Sequence, residues 1–249
     1  MILKEQFKKQ GNFLFKYRSY FPIPFLLFAI ILYVYDRNLE YILYRKQYYY
    51  GVYYEYFCLL ISFLGLIIRI YVVGHSAKNT SGRNEAEQVA DTINKTGLYS
   101  VVRHPLYLAN FFMWMGPVLL TRNFWFVLAA VLLFWLFYER IMYAEEQYLT
   151  EKFGDEYLNW ANNVPTFFPK FKGFVKPALP FSWKKVLRQE KNGLFAIFLV
   201  FLIFDIAAKT YTHGYDYNQI YIYGSIITAI IYIVLRYLKR KTKLLADGR

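Results

Sequence analysis

The chain has 249 residues, of which 57% are hydrophobic and 22% aromatic, and it carries 30 Lys and Arg against 17 Asp and Glu for a formal charge of +13. With a mean hydropathy of +0.20, that apolar surplus excludes an ordinary soluble domain of this length and needs a bilayer to cover it. The basic excess falls between long apolar runs rather than across one surface, which argues against a nucleic-acid partner.

In chain order, the N-terminal stretch carries Lys4, Lys8, Lys9, Lys16 and Arg18 but no apolar core followed by a small-residue cleavage site, so it does not read as a cleaved signal. Six apolar runs follow, at roughly 21–35, 52–73, 106–120, 124–138, 194–208 and 220–238, and predict an all-α polytopic membrane protein with six crossing helices. Several runs are nearer 15 residues than the ~20 a crossing needs, so flanking Tyr, Trp and Lys must complete them. The third and fourth are separated only by Thr121-Arg122-Asn123 and are expected to form a tight antiparallel hairpin. One set of alternate loops holds only Arg37, Arg45, Lys46, Arg122 and Lys209, while the other side collects the great majority of the basic residues. The positive-inside rule then places both termini and the two long polar segments in the cytoplasm. Asn79-Thr80-Ser81 and Asn94-Lys95-Thr96, which match the glycosylation pattern, fall on that side and read as chance.

Among single residues, Cys58 in the second helix reads as a packed small residue, and with three histidines the chain shows neither zinc spacing nor HExxH, so no metal is expected. GxGxxG and P-loop motifs are absent. Arg69, near the inner end of the second helix, is expected to snorkel, and Asp205 to reach the outer interface. His75 reads as interfacial, and His213 carries no signal.

Two polar segments hold the chemistry. In the first, Ala86, Val89, Ala90 and Ile93 recur at helical spacing opposite Glu85, Glu87 and Asp91, predicting a short interfacial helix ended by Gly97. Arg103 and His104 then stand immediately before Pro105, a residue suited to the first turn of the third membrane helix. In the second, the fourth membrane helix runs on into water with Met142, Glu146, Leu149 and Phe153 on one face. Glu146 therefore points inward, and Glu145 is turned about 100° from it. Gly154 ends that helix, Asp155 is a candidate cap for another, and Val164-Pro165 returns the chain to the membrane.

Gly97-Leu98-Tyr99-Ser100-Val101-Val102-Arg103-His104-Pro105-Leu106-Tyr107-Leu108, a membrane hairpin, Glu145-Glu146, and Phe153-Gly154-Asp155-Glu156-Tyr157-Leu158 up to Val164-Pro165 together resemble the isoprenylcysteine carboxyl methyltransferase and phospholipid methyltransferase superfamily. The resemblance covers about residues 52–172 and frames three regions: a basic segment with the first membrane helix (1–51), a methyltransferase-like core (52–172), and a linker with two extra helices and a basic tail (173–249). It implies an S-adenosylmethionine site in a cytoplasmic helical segment, contacted by Tyr99, Val102, Arg103, His104, Pro105, Tyr107, Leu108 and one of Glu145 and Glu146, with the chemistry carried by Arg103, His104 and Glu146. It also implies a lipid or lipidated acceptor entering from the bilayer. Ala109 departs from the glycine many members carry there, and the helices beyond Leu194 lie outside the shared core. The residue types match the donor: a carboxylate for its amino group, Arg103 for its carboxylate, aromatic faces for its sulfonium. Two other classes compete: a membrane reductase of the sterol-reductase type, which shares the Arg-His-Pro turn but uses NADPH, and a non-enzymatic scaffold or transporter. Glu145-Glu146 disfavours the first, and charges gathered at the membrane edge rather than its midplane disfavour the second.

Overall fold

The computed structural model describes residues 2–44, 49–78, 80, 88–211 and 216–245. Arg45, Lys46, the predicted helix start at Glu85, and His213 lie outside them. Eight α-helices are present among the described residues: α1 (Leu3–Tyr17), α2 (Pro22–Tyr44), α3 (Tyr49–His75), α4 (Pro105–Leu120), α5 (Phe124–Phe153), α6 (Asp155–Ala161), α7 (Trp183–Tyr211) and α8 (Gln219–Lys241). Five of them, α2, α3, α5, α7 and α8, are long and apolar enough to cross a membrane. The remaining apolar run, α4, has 16 residues, about 24 Å of rise against roughly 30 Å of hydrocarbon. It is therefore a short inner helix, packed along α3 and α5, rather than a sixth full-length span.

Small residues let α3 and α4 come together. A Cβ on Gly65 would collide with the Ala109 carbonyl, and one on Gly116 with the Ser62 hydroxyl and the Cys58 carbonyl. Such seams are how helices associate where apolar burial supplies no net drive. Ala109 is fully buried here and Cys58 likewise. Asn123 caps α5 by accepting from the Phe126 amide, so the tight hairpin expected between α4 and α5 is formed. With 30 residues, or about 45 Å, α5 overshoots the start of α4, and α1 lies along that overhang. Phe7 meets Tyr143 edge-on at 5.8 Å, the Arg140 guanidinium sits 3.6 Å over the Phe7 ring, and Lys8 pairs with Glu151.

The helix ends on this side are tied together. The buried Lys185 ammonium at the head of α7 donates to the Ser76 and Ala77 carbonyls at 3.0 and 2.7 Å, a cation placed on the C-terminal end of α3. His75 closes α3 with its Nδ1 2.8 Å from the Leu179 carbonyl, its ring against Tyr71 and Phe181. Arg69 does not snorkel. It forms a two-pronged ion pair with Glu190 of α7, Nε to Oε2 at 2.7 Å and Nη2 to Oε1 at 2.9 Å, and Nη1 donates to Asn110 at 2.7 Å. A guanidinium buried this deep is stabilised by a bidentate carboxylate better than by a strained reach to water. At the opposite end Asp205 is buried, pairs with Lys209 and accepts from the Asn218 amide that starts α8. Arg37, expected in a loop, lies within α2 and pairs with Glu55 of α3.

Candidate functional site

The segment between α3 and α4 runs antiparallel to the one that follows α6. The Gly97 amide donates to the Val175 carbonyl at 2.9 Å, Lys170 to Val101 at 3.0 Å, Arg103 to Pro165 at 2.8 Å and His104 to Thr166 at 3.3 Å. These backbone bonds fix the Arg-His-Pro turn, and Pro105 then opens α4 at its first position. Phe167 anchors the returning segment in an apolar cluster with Phe134, Phe137, Tyr138, Ile141 and Met142.

Against this turn α5 presents its two glutamates. Glu146 accepts from Arg103 Nη1 at 3.0 Å and from His104 Nε2 at 2.9 Å; a carboxylate only accepts, so Nε2 carries a proton, and Nδ1 is the ring nitrogen turned toward Glu145. Arg103 also donates to the Thr166 hydroxyl. Glu145 accepts from the Tyr107 hydroxyl at 2.8 Å and lies 3.7 Å from His104 Nδ1. The His104 and Tyr107 rings stack at 5.5 Å.

A cleft opens over this cluster, walled by Tyr99, Arg103, His104, Pro105, Tyr107 and Glu145 from among the residues named in the sequence, and by Tyr148, Tyr157 and Trp160. Val102 and Leu108 are not on its wall. Val102 is fully buried behind it, and Leu108 packs into the aromatic cluster. Glu146 stands behind Arg103 and His104, whereas Glu145 faces the space with an oxygen that no residue engages among the hydrogen bonds described. The stretch 88–93 lines the cleft without helical structure, which corrects the interfacial helix expected over 85–93 for its six described residues. Val89, Ala90 and Ile93 line the cleft instead, so their spacing serves a wall rather than a helix face. Gly154, not Asp155, caps α6, with Asp155 in its first turn.

Two wall residues were not singled out from the sequence. The Tyr157 hydroxyl and Trp160 Nε1 are buried without a hydrogen-bond partner among the described residues, as is Arg103 Nε. Burial first, then the Glu146 carboxylate, pushes the Tyr157 phenol well above its usual range, so it stays a donor at any working pH. The available signal was Tyr157 and Trp160 at i, i+3 just after Gly154, which puts both on one face of α6.

A model of the family described as Phospholipid methyltransferase matches residues 54–156, the stretch that contains the Arg-His-Pro turn, the hairpin and both glutamates. Protein-S-isoprenylcysteine O-methyltransferase of Schizosaccharomyces pombe is 34% identical over 115 residues, 43% of this chain and 48% of that one. The Saccharomyces cerevisiae protein of the same name is 34% identical over 103 residues, 41% of this chain and 42% of that one. Nickel-cobalt-cadmium resistance protein NccN of Alcaligenes xylosoxydans xylosoxydans is 34% identical over 94 residues, 38% of this chain and 41% of that one. The chain thus spans about half the length of the curated relatives it matches. No solved structure matches. Residues 54–156 are thus similar both to the phospholipid methyltransferase family and to the isoprenylcysteine O-methyltransferases.

Proposed function

We propose that the protein transfers a methyl group from S-adenosylmethionine to a lipid or lipidated acceptor held in the membrane. The observation that carries this reading is the convergence of Arg103, His104, Tyr107 and Glu145 on one cleft. The chemistry of the lining is the test of fit: Glu145 accepts, Arg103 donates, and Tyr99, Tyr107 and Tyr148 present aromatic faces, the partners that an ammonium, a carboxylate and a cationic sulfur require. When bound, S-adenosylmethionine supplies an electrophilic methyl on a cationic sulfur.

The residues divide the work by geometry. Glu145 would receive the donor's ammonium through its remaining oxygen, Arg103 would meet its carboxylate, and Tyr99 and Tyr107 would offer rings to the cation. Glu146 is a positioning residue, holding Arg103 and His104 from behind. Aligning donor and acceptor for in-line displacement is worth roughly 7–11 kcal/mol, so little proton chemistry is required. A carboxylate or phosphate acceptor needs no base, while an amine acceptor is deprotonated by His104 through Nδ1. The region 52–172 carries the chemistry, and 173–249 adds the helices that complete the membrane body. The site end of the molecule, where α1 and the basic tail also lie, faces the cytoplasm.

Calorimetry of the purified protein with S-adenosylmethionine and with NADPH decides the matter. Saturable binding of the first alone is expected; binding of NADPH alone would overturn methyl transfer in favour of reduction, and binding of neither would favour a scaffold.

A further inference from the structure

The segment that leads from α6 to α7 is apolar where the chain leaves it uncovered. Phe168 is 74% exposed and Phe171 69%, with Phe174 and Val175 exposed beside them. Looseness does not account for this exposure. The Lys170 amide donates to the Val101 carbonyl at 3.0 Å, the Gly97 amide to the Val175 carbonyl at 2.9 Å, and the Val175 amide to the Ser100 hydroxyl at 2.9 Å. The backbone is thus pinned on both sides of a tip. Between the pins the Phe174 amide donates to the Phe171 carbonyl at 3.2 Å, closing a four-residue turn whose third position needs the positive φ that Gly173 takes, 93°. A Cβ on Gly173 would meet nothing within 4 Å. The tip Phe171-Lys172-Gly173-Phe174 therefore projects from the protein as a fixed wedge.

Continuity and charge say what covers it. Phe168 stacks on Trp135 of the crossing helix α5 at 6.2 Å, and Trp135 lies between Leu132 and Leu136, both exposed on that helix, so the wedge extends a surface already turned to lipid. Its charge has one sign. From Tyr157 to Gln189 the sequence holds no Asp or Glu, while Lys170, Lys172 and Lys176 alternate with the aromatic residues and are themselves exposed. Rings that sink to the acyl boundary beside lysines that stay among the headgroups make an interfacial contact, and a contiguous exposed apolar patch marks one. We propose that residues 168–176 dock on the bilayer leaflet at the cleft end of the molecule, with the Phe168, Phe171 and Phe174 rings at the headgroup–acyl boundary and the three lysines on anionic lipid headgroups. This surface lies beyond the matched residues 54–156, and its assignment does not depend on methyl transfer. Because the same backbone holds the Arg-His-Pro turn through Val101 and Gly97, the seat of the wedge sets the level of the cleft relative to the headgroups.

The test uses the full chain with Cys58→Ala in phosphatidylcholine nanodiscs. Phe171→Cys, or Lys152→Cys at the exposed end of α5 as a reference, carries an environment-sensitive nitrobenzoxadiazole probe. Phe174→Cys repeats the reading should the first substitution disturb the turn. The discs contain a doxyl-labelled quencher, either phosphatidylglycerol or phosphatidylcholine. The probe at 171 should emit to the blue of the reference and be quenched, and the anionic quencher should act at about fivefold lower mole fraction, the factor that one lysine supplies at an anionic surface. With Lys170→Gln, Lys172→Gln and Lys176→Gln combined, the two quenchers should become nearly equal while the blue shift persists. Probes at 171 and 174 that emit like the reference and are reached by neither quencher would overturn the docking surface. Equal quenching by both lipids in the parent would overturn its assignment to anionic headgroups.

Discussion

Neutralising the two adjacent glutamates one at a time should weaken donor binding in both variants but lower thermal stability in only one. Glu145 spends one oxygen on Tyr107 at 2.8 Å, a bond that the carbonyl of a glutamine side chain can still accept, and turns its other oxygen to the cleft. Glu145→Gln therefore removes one charge-assisted bond to a bound ammonium, about 1.5–3 kcal/mol, or a roughly 10–150-fold weaker Kd for S-adenosylmethionine. The folded protein should melt nearly as the parent does. Glu146 has both oxygens committed, to Arg103 at 3.0 Å and His104 at 2.9 Å. In Glu146→Gln the amide accepts only one of these bonds and sets an N–H donor against the other donor, so the turn before α4 loosens. Its melting temperature should fall, and donor affinity should fall with it because Arg103 is no longer held. Titration calorimetry with S-adenosylmethionine and thermal unfolding in the same detergent read both quantities. Unchanged affinity in Glu145→Gln, within about threefold, beside a loss of tenfold or more in Glu146→Gln without thermal change would show that the roles are reversed.

Glu190→Ala strands Arg69 and should cost about 3–5 kcal/mol, whereas Arg69→Met combined with Glu190→Leu should recover most of it; thermal unfolding of the single and double variants checks this. Gly11→Val places a side chain against the Arg140 carbonyl and Ala144 Cβ, lifting α1 from α5 at about 1–3 kcal/mol, and should be seen as faster proteolysis within residues 3–17. For orientation, a cysteine introduced at Asp216 should react with an impermeant maleimide from outside intact cells, and one at Lys172 only after permeabilisation. The reverse pattern would invert the topology drawn from the basic residues.

The apolar runs are legible because a buried crossing demands apolar residues all around the helix, a signal that needs no knowledge of partners. The meeting of Arg103, His104 and the glutamates is legible for a different reason. Three residues, Thr121 to Asn123, join α4 to α5, so the head of one helix must lie near the tail of the other. What fails is what depends on distant contacts. Arg69 and Glu190 are separated by 121 positions, and nothing local distinguishes a paired arginine from a snorkelling one. The stretch 88–93 carries a helical pattern yet is not helical, because lining a cleft rewards the same apolar positions as packing a helix. α1 was readable in principle: Phe7, Gly11, Leu14 and Phe15 recur at helical spacing, but a basic N-terminal stretch invites attention to its charge first.

The Arg69–Glu190 pair also sets a clock on how the protein is made. The arginine is synthesised 121 residues before its partner, and at about 5–20 residues per second the nascent chain waits roughly 6–24 s with a guanidinium in the second crossing and no carboxylate to meet it. During that interval the arginine's accessible refuge is the interfacial water at the inner membrane edge. Glu190 is supplied by α7, so the guanidinium meets its bidentate partner only after α4, α5 and α6 have all been made.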